Sequence, residues 1–188
     1  MTPDTARQLE VSRYETAYRN PAYRLGDRRR AHIADHLART PRGSLLDVST
    51  GRGEVLDMAE TLGHSPVQGT EAVGFLCDGV RVVHALAHAL PFADQSFDTV
   101  TMFDVMEHLL PADTAAVCRE LRRVARARVL LTVHNGPSKF GGDGRDLHIN
   151  RRDSYEVWHV ELAEHFGLPV VRHGSQGSIS EMFEVPLC

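Results

Sequence analysis

The 188-residue chain predicts an α/β domain: a doubly wound, seven-stranded, mostly parallel sheet with helices on both faces and an antiparallel last strand. Three observations carry this. Short apolar runs alternate with amphipathic helical periods, the pattern of βαβ units. The first clear run, Leu45-Leu46-Asp47-Val48, ends in a glycine-bracketed turn, Ser49-Thr50-Gly51-Arg52-Gly53, ahead of a helical period. The last two runs have no helical period between them and read as a hairpin, which reverses the final strand.

The elements follow in order. Gly26-Asp27 precedes a helix with Ile33, Ala34, Leu37 and Ala38 on one face, ending before Pro41. Residues 44–49 are the first strand, and Val55, Leu56, Ala59 and Leu62 mark a helix stopped by Gly63. Residues 66–71, 81–86 and 97–103 are the next three strands. Pro111 opens a helix carrying Val117, Leu121 and Val124, and residues 128–134 form a fifth strand. Asp153, with Glu156 three residues later, predicts a capped helix start. That helix carries Trp158, Leu162 and Phe166 and stops at Gly167; strands at 168–172 and 182–185 complete the sheet. The whole chain, 1–188, is expected to be one domain, with an N-terminal helical segment over 1–40 and a core over 43–188.

Composition narrows the function. Hydrophobic residues make up 42% and charged residues 24%, which suits a soluble core. A formal net charge of −4 offers no domain-wide basic field for a nucleic-acid duplex. Three cysteines with no close pair indicate neither a disulfide framework nor a thiolate zinc site. The N-terminal segment has no signal-peptide core, and no apolar run is long enough to span a membrane, so a cytoplasmic protein is expected.

Ligands of such sheets sit at the carboxyl ends of the strands, beside the first strand. Asp47 to Gly53, Glu71, Leu86-Ala87 and Phe103-Asp104 all fall there. Glycines in the turn admit close approach of a ligand to backbone N–H groups at the start of the next helix. A nicotinamide-type fingerprint is disfavoured, since Gly51-x-Gly53 is followed by Val55-Leu56 without a third glycine.

Taken together, these residues resemble the class I S-adenosylmethionine-dependent methyltransferases of the type 11-like superfamily. Asp47 to Glu54 is similar to the first motif, and Glu71 lies 24 residues after Asp47. Leu90-Pro91-Phe92-Ala93-Asp94-Gln95-Ser96-Phe97-Asp98 is similar to the LPF-x-D-x-SFD segment, and Asp104 to Leu109 to the segment after the fourth strand. The resemblance spans residues 43–133. It implies a Rossmann-like methyltransferase fold that binds S-adenosylmethionine and releases S-adenosylhomocysteine. The implied cofactor contacts are Asp47, Ser49, Thr50, Gly51, Gly53, Glu71, Ala72, Leu86, Ala87 and Phe103, with Glu71 holding the ribose diol. The 1–40 segment would lie over the cofactor. Two positions depart from the family. Ser49 stands where glycine is usual, so Ser49→Gly should be tolerated and Ser49→Val should block the cofactor while leaving the fold intact. Leu86 stands where an acid usually holds the adenine amino group, leaving backbone and apolar contacts for that task.

The expected reaction is methyl transfer to an oxygen or nitrogen of a small-molecule acceptor. The chain lacks the Asn/Asp-Pro-Pro-Tyr/Phe signature of exocyclic-amine methylation on DNA bases and a Pro-Cys nucleophile. A catalytically silent cofactor-binding or scaffold member is the alternative, and an RNA 2′-O-methyltransferase the third reading. Asp104, Glu107 and His108, at i, i+3 and i+4, would share a helical face, with His148 beyond the fifth strand. The leading expectation is no metal, with His108 as base or substrate-orienting residue. Activity would then rise through a pKa near 6.5 and ignore chelators. In the alternative, the four residues hold Mg²⁺ or Mn²⁺, as in metal-dependent O-methyltransferases. The glycine-rich loop 135–145 is a candidate lid. Acceptor recognition is left to the N-terminal segment, the loop before Asn150, a homodimer mate or a partner subunit.

Overall fold

A computed structural model describes residues 2–138, 146–174 and 180–187. Two N-terminal helices, α1 (Pro3–Tyr18) and α2 (Asp27–Arg39), precede β1 (Leu45–Val48), α3 (Glu54–Thr61), β2 (Val67–Glu71) and β3 (Val82–His84). Then come β4 (Phe97–Phe103), α4 (Thr114–Val124), β5 (Ala125–Val133), α5 (Tyr155–Phe166), β6 (Val171–Gly174) and β7 (Glu181–Pro186). The sheet order is β3-β2-β1-β4-β5-β7-β6, with β7 antiparallel to both neighbours and every other pairing parallel. The doubly wound sheet and its reversed last strand are as the alternation predicts.

Strand periodicity sorts the core into two layers. Leu46 and Val48 point to one face, where Val117, Leu121, Trp158 and Phe166 of α4 and α5 cover them. Leu45 points to the other, against Ile33 and Leu37 of α2 and Val55 and Ala59 of α3. Beside β1 the order reverses from β2 to β4, which opens the crevice at the strands' carboxyl ends.

Local differences from the expected elements have identifiable causes. The α5 N-cap is Ser154, whose extended backbone lets Oγ accept from the Val157 N–H at 3.4 Å; Asp153 lies one residue too early. Residues 168–170 are not strand, because the chain leaves α5 through Gly167 at φ 62°, with the Leu168 N–H donating back to the Ala163 carbonyl at 3.3 Å. β6 therefore begins only at Val171. Leu86 lies beyond the short β3, in a turn closed by the Ala89 N–H on the Leu86 carbonyl at 2.9 Å. The expected lid falls largely outside the described residues, which stop at Ser138 and resume at Asp146.

Candidate active site

The turn after β1 is built from left-handed residues. Ser49 has φ 61°, Gly51 58° and Gly53 80°. Glycine adopts this region freely; serine adopts it at a cost of about 1–2 kcal/mol. Position 49 thus asks for glycine on backbone grounds, which corrects the expectation for Ser49→Val: a β-branched side chain strains the turn itself. Gly51 also admits a close neighbour. A Cβ there would stand 2.4 Å from the Tyr18 hydroxyl, which drops into the notch from the end of α1.

Two acids anchor the turn from below. Asp47 is buried and accepts from Thr101 Oγ1 at 2.6 Å. Burial pushes its pKa up to about 7. Between pH 3.8 and 7 the folded state binds the proton that the unfolded chain releases, so this group lowers stability as pH rises. Asp47→Asn is expected to flatten the fall in stability between pH 4 and pH 7 in denaturant titrations, with little change at pH 4. A parallel slope in both proteins contradicts the assignment.

Glu71, at the end of β2, accepts three backbone hydrogen bonds: from Gly51 at 2.8 Å on Oε2, and from Ala72 and Val73 at 2.8 and 3.0 Å on Oε1. Burial raises its pKa, and the three N–H donors offset only part of that rise. With three of roughly four lone-pair sites used, one acceptor position on Oε2 remains. The expected two-bond grip on a ribose diol is therefore not open to this rotamer; Glu71 first of all ties the glycine turn to β2.

Two cavities meet over this turn. One, of about 170 Å³, is lined by Glu71, Ala72, Leu86 and Ala87 under Tyr14 and Tyr18. The other, of about 290 Å³, is lined by Asp47, Ser49, Thr50, Gly51, Arg29, His134 and His148, among others. Tyr18, Tyr23, Ser49, Phe103, Asp104 and His108 line both and form the partition. Of the sequence-predicted cofactor contacts, Gly53 alone lies outside both linings, as the left-handed N-cap of α3. The tyrosine roof is held by α1. Arg7 pairs with both oxygens of Asp113 at 2.8 and 2.6 Å, and Arg13 donates to the Asp146 carbonyl at 3.0 Å.

Of the sequence-predicted catalytic residues, Glu107, His108 and His148 are brought together, although not on a helical face. Asp104 sits at φ 54°, and a single 3-10 turn, Met106–His108, carries Glu107 and His108 in place of a helix. Asp104 is turned away, accepting from Thr132 Oγ1 at 2.8 Å and pairing with Arg29 at 3.1 Å. Ligand atoms of Glu107, His108 and His148 lie within 4.8 Å of one another. Glu107 is fully buried; Oε1 accepts from the His134 N–H at 3.0 Å, and Oε2 has no partner. His108 Nδ1 faces the Leu147 carbonyl at 3.2 Å and the Tyr14 hydroxyl. His148 Nδ1 faces the Gly136 carbonyl at 2.5 Å. A carbonyl only accepts, so this network assigns both ring protons to Nδ1 and leaves both Nε2 lone pairs free. His134 stacks edge-on to His148, centroids 4.9 Å apart, with its own Nδ1 buried and unpartnered. Sequence reasoning passed over His134 as a strand residue; the signal was an imidazole at the carboxyl end of β5.

Burial decides the charge states here. It holds His108 down at about pKa 3, with His148 pushing the same way, and His134 at about 4. Glu107 is raised well above the usual carboxylate range by burial and then by Asp104. The expected pKa of 6.5 for His108 is thereby corrected. This imidazole stays neutral throughout the neutral range and holds a proton poorly.

Residues 46–133 match the family described as a methyltransferase domain. The match covers 88 of the 188 residues and is a similarity to that family over this segment. The fold is shared with 1,6-didemethyltoxoflavin-N1-methyltransferase of Burkholderia thailandensis, solved with its namesake ligand and S-adenosylhomocysteine: TM-score 0.71, 18% identity, over 99% of this chain and 90% of that one. It is also shared with PH0226 of Pyrococcus horikoshii OT3 (TM-score 0.66, 17% identity, 86% and 92% covered). The methyltransferase domain of bacterial CtHen1 is a third relative (0.64, 18%, 85% and 98%). At these identities the likeness concerns the fold. No curated protein matches this chain in sequence.

Proposed function

We propose that this chain is an S-adenosylmethionine-dependent methyltransferase and transfers the methyl group to an oxygen or nitrogen of a small-molecule acceptor. The observation that carries this is the pair of adjoining cavities, which share six lining residues. The 170 Å³ cavity over Glu71, Ala72, Leu86 and Ala87 takes the adenosine end, and the 290 Å³ cavity takes the amino-acid end and the acceptor. The residues present fit the cofactor: a turn with glycine at 51, one unused acceptor position on Glu71, and apolar walls where Leu86 replaces an acid. Asp47, Ser49, Thr50, Gly51, Glu71, Ala72, Leu86, Ala87 and Phe103 would hold it, with Gly53 shaping the turn. When bound, S-adenosylmethionine supplies an electrophilic methyl on a sulfonium. The chain's part is to align the acceptor and exclude water. Tyr14, Tyr18 and Tyr23 roof the site, and Phe103 and Ser49 form the partition. The net charge and the size of the cavities favour a small acceptor over RNA. The free thiols Cys77 and Cys118, and the absence among described residues of any helix able to cross a membrane, fit a cytoplasmic setting.

The neutral, weakly basic His108 separates two kinds of acceptor. A neutral amine attacks before it loses its proton and needs no base. A hydroxyl needs activation that His108 supplies poorly. The orphaned Glu107 Oε2, beside two imidazoles with free Nε2 atoms, fits a divalent cation, which when bound lowers the pKa of a hydroxyl ligand. Each imidazole gives its Nδ1–H to a backbone carbonyl, the usual outer support of a histidine that ligates through Nε2. With Asp104 turned to Arg29, the donors are one carboxylate and two imidazoles. That set favours ions such as Fe²⁺, Co²⁺ or Zn²⁺ over the Mg²⁺ expected from two carboxylates.

Transfer of labelled methyl to panels of hydroxyl and amine acceptors tests both points. Hydroxyl methylation should vanish in EDTA and in His148→Ala and return with Co²⁺ or Mn²⁺ in the wild type; amine methylation should ignore EDTA. Full hydroxyl activity in chelator, rising through pH 6.5, contradicts the cation reading. Label appearing only in RNA contradicts the small-molecule reading.

A further inference from the structure

We propose a second ligand site, for a divalent transition cation, where α2 meets the edge strand β6: the imidazoles of His32, His36 and His173. His32 and His36 stand four residues apart on one face of α2, a spacing at which two imidazoles can share one ion. His173 comes from β6. The rings adjoin, with centroids 4.9 Å apart for His32 and His36 and 5.1 Å for His36 and His173.

Two observations point to a ligand. His32 and His36 are each only 7% exposed, and the Nε2 of each is buried with no hydrogen-bond partner. Buried polar atoms in folded proteins are nearly always partnered, so two orphaned ring nitrogens beside a third imidazole are not what plain packing produces. Moreover, His173 Nε2 lies 3.0 Å from Glu184 Oε2. The carboxylate can only accept, so the proton sits on Nε2 and the Nδ1 lone pair is left for an ion. This is the carboxylate–histidine pairing that commonly backs a metal ligand. The rings stand edge to face with their ligand atoms not all within 4.8 Å of one another, so an ion would have to turn them for the three lone pairs to converge. Three imidazoles without thiolate select Zn²⁺, Co²⁺, Ni²⁺ or Cu²⁺ over Mg²⁺ or Ca²⁺.

The site has a route to the chemistry. Arg29, His32 and His36 follow one another at i, i+3 and i+7 along α2, and Arg29 holds Asp104 at 3.1 Å at the end of β4. An ion joining α2 to β6 fixes the helix that carries Arg29 into the 290 Å³ cavity. The elements that supply this site differ from those that carry Glu107, His108 and His148.

The test uses the untagged full chain, freed of metal, with Co²⁺ as the probe, read by equilibrium dialysis and visible absorption. Glu107→Gln with His148→Ala removes the other cluster. That double variant should still bind one equivalent and melt at a higher temperature with Co²⁺ than without. Adding His36→Phe, which keeps the ring volume, should remove that equivalent and the thermal shift. Glu184→Gln should weaken binding about 10- to 100-fold. Excess Mg²⁺ should not compete. Should His36→Phe fail to fold, His173→Gln at the half-buried strand position should give the same loss. Cobalt stoichiometry unchanged in a folded His36→Phe or His173→Gln chain overturns the proposal, as does the absence of binding in the double variant.

Discussion

Glu71→Ala is expected to lower both cofactor affinity and global stability. The carboxylate partners three backbone N–H groups, on Gly51, Ala72 and Val73, inside a nearly closed site. Each buried donor left without a partner costs about 1–3 kcal/mol. Water entering the vacated space recovers part of this, so a net loss of roughly 2–4 kcal/mol is expected. For a domain of this size that lowers Tm by about 4–16 °C, at 2–4 °C per kcal/mol. Affinity for S-adenosylhomocysteine should fall more than about tenfold, because the turn loses its anchor and the cofactor loses an acceptor. Glu71→Gln separates the two effects. It keeps one carbonyl acceptor but sets an NH₂ group against a backbone N–H, so its loss should be smaller in stability and still clear in affinity. A Glu71→Ala protein that melts within about 1 °C of wild type would show that the three hydrogen bonds carry no net weight.

The largest contrast at a single position is expected at Ser49. Its φ of 61° is the region that glycine occupies without strain and a β-branched residue occupies worst. Ser49→Gly should stabilise the chain by about 1 kcal/mol, less a few tenths for the freedom gained by the unfolded chain. It should also leave S-adenosylhomocysteine binding equal or tighter. Ser49→Val should destabilise by roughly 2 kcal/mol or more and abolish measurable binding, since the turn must leave the left-handed region to relieve the clash. Ser49→Ala serves as the control: it keeps the strain and removes only the hydroxyl. Thermal melts and calorimetry on the three variants read both quantities. Equal stability of the glycine and valine variants contradicts the backbone account.

Much of this was legible in the sequence, because the signals were local or one-dimensional. The glycine turn after Asp47, the helix stop at Gly63 and the strand-to-helix alternation each depend on a few neighbouring residues. What escaped were properties set by distant partners. Asp104 was grouped with Glu107 and His108 by spacing, but its left-handed backbone and the pull of Arg29, 75 positions earlier in the chain, remove it from the cluster. His134 read as one more strand residue until the fold set it against His148. Glu71 was placed correctly at the end of β2, yet its three backbone donors come from a turn that had to be folded first. The same holds for charge. A histidine's pKa of 6.5 is a property of the side chain in water, whereas a value near 3 belongs to its buried surroundings.

The central claim is that the two adjoining cavities form one cofactor-and-acceptor site anchored by the Ser49–Gly53 turn. Calorimetric titration of the wild-type chain with S-adenosylhomocysteine tests it most directly, because it needs no knowledge of the acceptor. The account predicts one site per chain, with binding lost in Ser49→Val and weakened at least about tenfold in Glu71→Ala. Absence of binding to a folded wild-type chain, or binding that both variants leave unchanged, would contradict it.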